Sequence, residues 1–526
     1  MYRMKSKAKS IAMLFFCALT LGVLGLRAEV KLPSLLSDGM VLQQGTKVNV
    51  WGTADPGERV TVTLKDQRVS GIADSEGQWK VKLGPLNAGG PFTMTVAGKN
   101  TITVHDVLVG EVWVASGQSN MTMAVSRVIN AGDEIAHADY PTLRLFTVEM
   151  AVAGKPQRDV KGYWVATRPE TVSDFSAVGY FFGRELLKAL NVPVGIIHSS
   201  VGGTPAESWM SHSTLESDPA FKSILDIESK LLSPYPISAR DVEEQFTQWR
   251  QAADKAESEG GLLPAPPSIP DDLRRDRWRP AGLFNGMIMP LTLYAIRGVI
   301  WYQGEGNADR PFQYRKLFPA LIRDWRRVWG EGDFPFLYVQ IANWGAYQPE
   351  DWPMTREAQL MALALPKTGM AVTIDIGDGS DIHPKDKQTV GYRLALAAQG
   401  IAYGRDVIYS GPVYKSMDVE GGKIRLRFQY AYGGLVAAKN VWGGPELIGF
   451  EIAGDDQKFA AADAKIEGDT VVVHRDGLAH PVAVRYAWAM NPFCNLYNRA
   501  GLPTSPFRTD DWADSFVDKQ TMGPVH

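Results

Sequence analysis

Apolar and polar positions along the chain change rhythm twice. Residues 47–51, 59–64, 79–83 and 92–96 alternate with period two, separated by turn residues at Asp55-Pro56-Gly57, Asp74-Ser75-Glu76-Gly77 and Asn87-Ala88-Gly89-Gly90. Alternation at that period predicts half-buried strands, so 29–105 reads as a small β-sandwich-like module. From about 106 the runs become continuously apolar, at 107–115, 194–198, 298–302, 336–340 and 370–374. Strands buried on both faces have this pattern, and helical stretches such as 180–189 and 314–328 fall between them. The alternation predicts an α/β domain over 106–405, a parallel sheet covered by helices. Residues 211–280 interrupt it with a polar helical segment at 241–259 and a proline-rich stretch at 264–270, and read as an insertion. From 406 to 526 the period returns to two, at 423–428, 447–452, 470–474 and 482–486, which predicts a second β module.

The first 28 residues follow another rule. Arg3, Lys5, Lys7 and Lys9 precede an apolar run over 11–26, and Ala28 offers a small residue for cleavage. That layout predicts a secretory signal peptide, and hence a periplasmic or secreted protein. The run of about 16 residues is short of the roughly 20 that span a bilayer. No membrane association is therefore expected after cleavage. Removal of the segment takes Cys17 with it and leaves Cys494 as the sole cysteine, which excludes an internal disulfide or a cysteine-held zinc. A net charge of −3 without long basic or acidic runs gives no reason to expect a nucleic-acid partner.

In open parallel sheets, ligands bind beyond the carboxyl ends of the strands. Four polar loops follow the apolar runs. Gly117-Gln118-Ser119-Asn120 allows a tight turn into a helix, which would present the Ser119 hydroxyl beside backbone N–H groups able to hold an oxyanion. An ordinary helix-capping serine has the same local pattern. A nucleophilic serine needs a base and a group to orient it. Asp378-Gly379-Ser380-Asp381-Ile382-His383 supplies His383, with Asp381 as its nearest carboxylate. The loop 199–205 contributes Gly202 and Gly203, whose N–H groups can approach a ligand, and Gln303-Gly304-Glu305-Gly306-Asn307 contributes side-chain amides.

In these blocks the sequence resembles the sialate O-acetylesterases and related carbohydrate acetylesterases of the SGNH hydrolase superfamily. The likeness extends over segments 36–43, 114–121, 301–305, 381–384, 485–488, 495–498, 501–503 and 506–510. It implies an SGNH-type three-layer hydrolase domain flanked by N- and C-terminal β-sandwich-like modules. It implies Ser119 as nucleophile, His383 as general base and acid, and an oxyanion held by the N–H groups of Ser119 and Gly203 with one amide side chain. Gln303 and Asn307 compete for that last role. The superfamily places an aspartate three residues before the histidine, where this chain has Ser380. The orienting group is then Asp381, Asp378 or a backbone carbonyl, with Asp381 preferred. The implied reaction removes acetyl groups from an acetylated carbohydrate through an acyl-serine, with no metal or organic cofactor.

Two other function classes fit parts of the chain. A glycoside hydrolase using Glu207 and Glu305 would need those carboxylates roughly 5–10 Å apart. A catalytically silent carbohydrate-binding protein would use the flanking β modules alone. Arg485 and Arg508 are positioned in sequence either to meet a sialate carboxylate or to form structural ion pairs.

Overall fold

The computed structural model describes residues 29–232, 239–258, 264, 276–345, 351–439, 443–512 and 518. The expected signal peptide with Cys17, and residues 265–270 of the proline-rich stretch, lie outside them. Among the described residues, no helix is long and apolar enough to cross a membrane.

Seven strands form the main path of an eleven-stranded sheet: β1 (Thr101–Gly117), β2 (Tyr140–Thr147), β3 (Trp164–Thr167), β4 (Val194–Ser200), β5 (Gly298–Tyr302), β6 (Phe336–Val339) and β7 (Thr368–Ala371). Their spatial order is β7-β6-β5-β1-β4-β2-β3, parallel throughout except for β3, which runs antiparallel on the edge. All five strands expected for this domain from apolar runs are present. The pair β2 and β3 is additional, and Pro141, Thr142 and Arg144 interrupt the apolar signal in the first of them.

Residues of the sheet alternate between two apolar clusters. Trp113, Ala115, Ile300 and Leu337 face one side, where they meet Phe181, Phe182, Leu394 and Ala397 of helices α1 (Ala177–Leu190) and α4 (Lys387–Ile401). Val112, Val114, Trp301 and Phe336 face the other, against Leu317, Phe318 and Ala358 of α2 (Pro311–Trp329) and α3 (Asp351–Met361). Covering both faces explains why the strands read as unbroken apolar runs.

The N-terminal β module does not stop where the sequence pattern changes. The expected division at 105/106 falls inside β1, whose first half pairs with Gly89–Ala97 and whose Leu108–Gly110 pairs with Val41–Gln43. Val50, Val60 and Val62 of that module share one continuous apolar cluster with Trp301 and Phe336. The C-terminal module has its own core around Ile424, Ile452, Val471, Val484 and Phe507. Arg485 is paired with Asp510 at 2.8 Å, and Arg508 reaches Glu357 of α3 at 2.7 Å. Both arginines are therefore held in ion pairs, the second of which fastens the C-terminal module to the α/β domain.

The insertion carries the helices His212–Ser217, Lys222–Leu232 and Ala239–Ser258 between β4 and β5. The last of them matches the polar helical segment read from sequence.

Candidate active site

The turn that carries Ser119 is built against the end of β5. Gly117 closes β1 with φ of 137°, a conformation that favours glycine. The next residue, Gln118, donates its N–H to the Tyr302 carbonyl at 2.9 Å, and its Oε1 accepts the Gly306 N–H at 3.0 Å. The short helix Ser119–Thr122 begins at the serine, so its first N–H groups have no intrahelical acceptor. Gly202 packs on Ser119, and Gly203 beside it has φ of 68°.

A cavity of about 430 Å³ opens here, lined by Ser119, Gly203 and His383 together with Glu305, Arg277 and Trp278. The histidine loop leaves from β7, at the sheet edge, and crosses back over β6 and β5. Its return is fixed by the Ile382 carbonyl, which accepts from Asn120 Nδ2 at 3.0 Å. Farther out, the Gly379 carbonyl accepts the Gly345 N–H at 2.8 Å.

His383 is half-buried, with Nδ1 3.5 Å from Asp381 Oδ1. The same carboxylate oxygen accepts the His383 N–H at 2.9 Å, a local turn that fixes where the ring starts. Burial pulls the imidazole below its ordinary value, and the nearby cations Lys387 and Arg127 add to this, while Asp381 opposes it. The result favours a neutral ring at neutral pH, the form that can accept a proton. The Asp378 carboxylate instead accepts the Ser380 N–H at 2.8 Å and Ser380 Oγ at 2.6 Å. Those bonds hold Asp378 below the usual carboxylate range and tie it to its own loop.

Gln303 and Asn307 are buried behind the cavity rather than on it. Gln303 Nε2 donates to Asn307 Oδ1 at 2.7 Å and to the Thr204 carbonyl at 3.3 Å. Asn307 Nδ2 donates to Glu207 Oε2 at 2.9 Å. Glu207 also takes Arg310 at 2.7 Å, and it does not line the cavity with Glu305. The two carboxylates of the glycosidase alternative thus do not face one another across the cleft.

A second serine–histidine pair lies nearby. His198 Nε2 meets Ser200 Oγ at 2.6 Å, and Ser200 Oγ meets Thr122 Oγ1 at 2.7 Å. No partner within the described residues reaches His198 Nδ1, and burial pushes the ring down to about 4. Without an orienting carboxylate, and off the cavity wall, it lacks what a base needs.

Sequence reasoning missed the roles of four residues. Arg277 and Trp278, at the end of the insertion, reach the cavity. Asn120 and Lys387 form a buried chain with Glu305: Lys387 Nζ donates to Asn120 Oδ1 at 2.6 Å, and Asn120 Nδ2 donates to Glu305 Oε1 at 2.7 Å. No local signal marks these partners, which are 267 and 185 positions apart along the chain.

The family model for carbohydrate esterases described as sialic acid-specific acetylesterases matches residues 275–399, the stretch from Arg277 through the histidine loop. A solved carbohydrate acetylesterase from Xanthomonas citri superposes with a TM-score of 0.78 at 40% identity, covering 92% of this chain and 100% of that one. Fold and matches define the class: the protein is a carbohydrate esterase. The mouse sialate O-acetylesterase is 31% identical over 90% of this chain and 93% of its own. The human enzyme is 30% identical over 90% and 91%. The chain belongs to the sialate O-acetylesterase family.

Proposed function

We propose that the protein removes O-acetyl groups from sugars through an acetyl-serine, on an SGNH-type catalytic arrangement. Ser119 Oγ attacks the acetyl carbonyl carbon while His383 takes the serine proton and passes it to the departing sugar oxygen. Water then attacks the acetyl-serine, His383 accepts its proton and returns it to Ser119, and acetate leaves. Asp381 orients His383. The N–H groups of Ser119 and Gly203 hold the oxyanion; Gln303 and Asn307 support the loop behind them. The observation that carries this reading is that Ser119, Gly203 and His383, from three loops, line one cavity with Asp381 behind the histidine.

Arg277 and Trp278 on the same cavity supply a cation and an aromatic face. They favour an acidic sugar such as an O-acetylated sialate over neutral acetylated xylan or xyloglucan fragments. The basic and then apolar start of the sequence supports export by a cleaved signal peptide. The test measures acetate release from O-acetyl sialates and acetylated xylo- and xyloglucan oligosaccharides, with the Ser119→Ala variant as control. The expected result is acetate release from the sialates first, unchanged glycan length, and no turnover by the folded variant. Substantial turnover by folded Ser119→Ala overturns the assignment.

A further inference from the structure

Lys387 is wholly buried at the first residue of α4. A cation there is unfavourable twice over, because it loses water and because the positive end of the helix dipole repels it. Buried ionic groups are also weak evidence for stability, since apolar replacements of similar shape often do as well. What surrounds Lys387 is specific. Its ammonium donates to Asn120 Oδ1 and lies over the Tyr302 ring, 5.1 Å from the centroid. Asn120 in turn donates to the Glu305 carboxylate and to the Ile382 carbonyl, so cation and anion together dictate which way its amide points. Asn120 follows Ser119 in the chain, and Ile382 precedes His383. The carboxylates facing Lys387 are Glu305 from the loop after β5, Asp381 from the histidine loop and Asp386 from its own helix cap.

We propose that Lys387 is a positioning residue for ester hydrolysis, locking the Ser119 turn to the His383 loop through Asn120. The proposal rests on Ser119 and His383 being the reacting pair. Burial draws the Lys387 ammonium down to about 7 and raises Glu305. The Lys387 charge is one of the influences that lower His383.

The test compares Lys387→Met, Lys387→Arg and the double variant Lys387→Met/Glu305→Gln. The double variant removes both charges, so no carboxylate is stranded in the interior. In Lys387→Met and the double variant, kcat falls about tenfold or more with KM within about twofold, the split expected when reacting groups are misplaced. In the same two variants the acid limb of kcat/KM moves up by roughly half a pH unit or more, because a cation near His383 has gone. Lys387→Arg keeps the limb near its original place. A folded double variant with the original kcat and an unmoved acid limb overturns the proposal. So does an activity loss that follows only the fraction of folded protein. Ser119→Ala assayed alongside reads the reaction site separately: turnover retained there overturns both readings. Turnover lost there with the Lys387 variants unaffected overturns this one alone.

Discussion

Gly117 and Tyr302 are in direct register across β1 and β5, and the Tyr302 carbonyl oxygen occupies the space a side chain on Gly117 would need. The same oxygen takes the Gln118 N–H, so the turn that delivers Ser119 is moulded on its neighbour strand. Gly117→Ala therefore meets a clash with backbone and an unfavourable φ together. The expected cost is about 1–3 kcal/mol of stability in denaturant unfolding. A fall in kcat/KM of about 10²-fold, from displacement of the serine, accompanies it. Wild-type turnover in the variant would remove the geometric argument.

The two aspartates of the histidine loop are separable by kinetics. Asp381 sits at the imidazole, whereas Asp378 is bound to Ser380. Asp381→Asn should lower kcat/KM on the order of 10²-fold, much more than Asp378→Asn. The pH dependence has a definite sign. His383 is depressed, so the acid limb of kcat/KM lies below about 6.5, and activity is lost only as pH drops through that lower value. Asp381 opposes the depression, so Asp381→Asn moves the limb lower still. A limb that rises in that variant contradicts the placement of Asp381.

Gly203 and Gln303 should fail in different ways. Gly203→Ala forces a side chain into φ of 68° at a proposed oxyanion donor. Loss of such a donor costs about 10²–10³-fold in kcat. Both Gln303 donors are already engaged inside the protein, so Gln303→Met should chiefly lower stability, by about 1–3 kcal/mol for the stranded partners. Single-turnover rates and thermal melts on the two variants decide this. A larger kcat loss in Gln303→Met than in Gly203→Ala would make the amide an oxyanion donor after all.

His198 is expected to make the fold acid-sensitive. Its folded value of about 4 lies below the ordinary 6.5, so between those values the unfolded chain binds a proton that the native ring refuses. Stability therefore falls as pH drops from about 6.5, by about 3 kcal/mol in all once pH reaches about 4. Urea unfolding across that range should show the slope, and His198→Asn should flatten it. An unchanged slope assigns the acid sensitivity elsewhere.

Much of this arrangement can be read from the chain because burial on both faces writes long apolar runs. Such runs marked β1, β4, β5, β6 and β7 and the loops that follow them. The strand β2 escaped because Pro141 and Arg144 break the pattern, and the edge strand β3 because its four residues are too short to show a period. Ser119, Gly203 and His383 were legible as polar residues after buried strands. Gln303 and Asn307 have the same local signature, yet the structure places them behind the cavity, a distinction that depends on side-chain direction. The partners of Asn120 come from the loop after β5, the histidine loop and α4, and only tertiary contact brings them together. The part of the insertion that supplies Arg277 and Trp278 carries no periodic signal.

The 17-residue span of β1 has a consequence for how this protein could have been assembled. The strand bends at Asp106, where φ is 56°, with the N-terminal module paired along its first part and Ser119 just beyond its end. The module is not a cassette that recombination can lift out or exchange at a linker, because any cut between the two parts severs a hydrogen-bonded strand. A one-residue insertion or deletion within β1 would shift its pairing with the module, with the neighbouring strand β5, or with both.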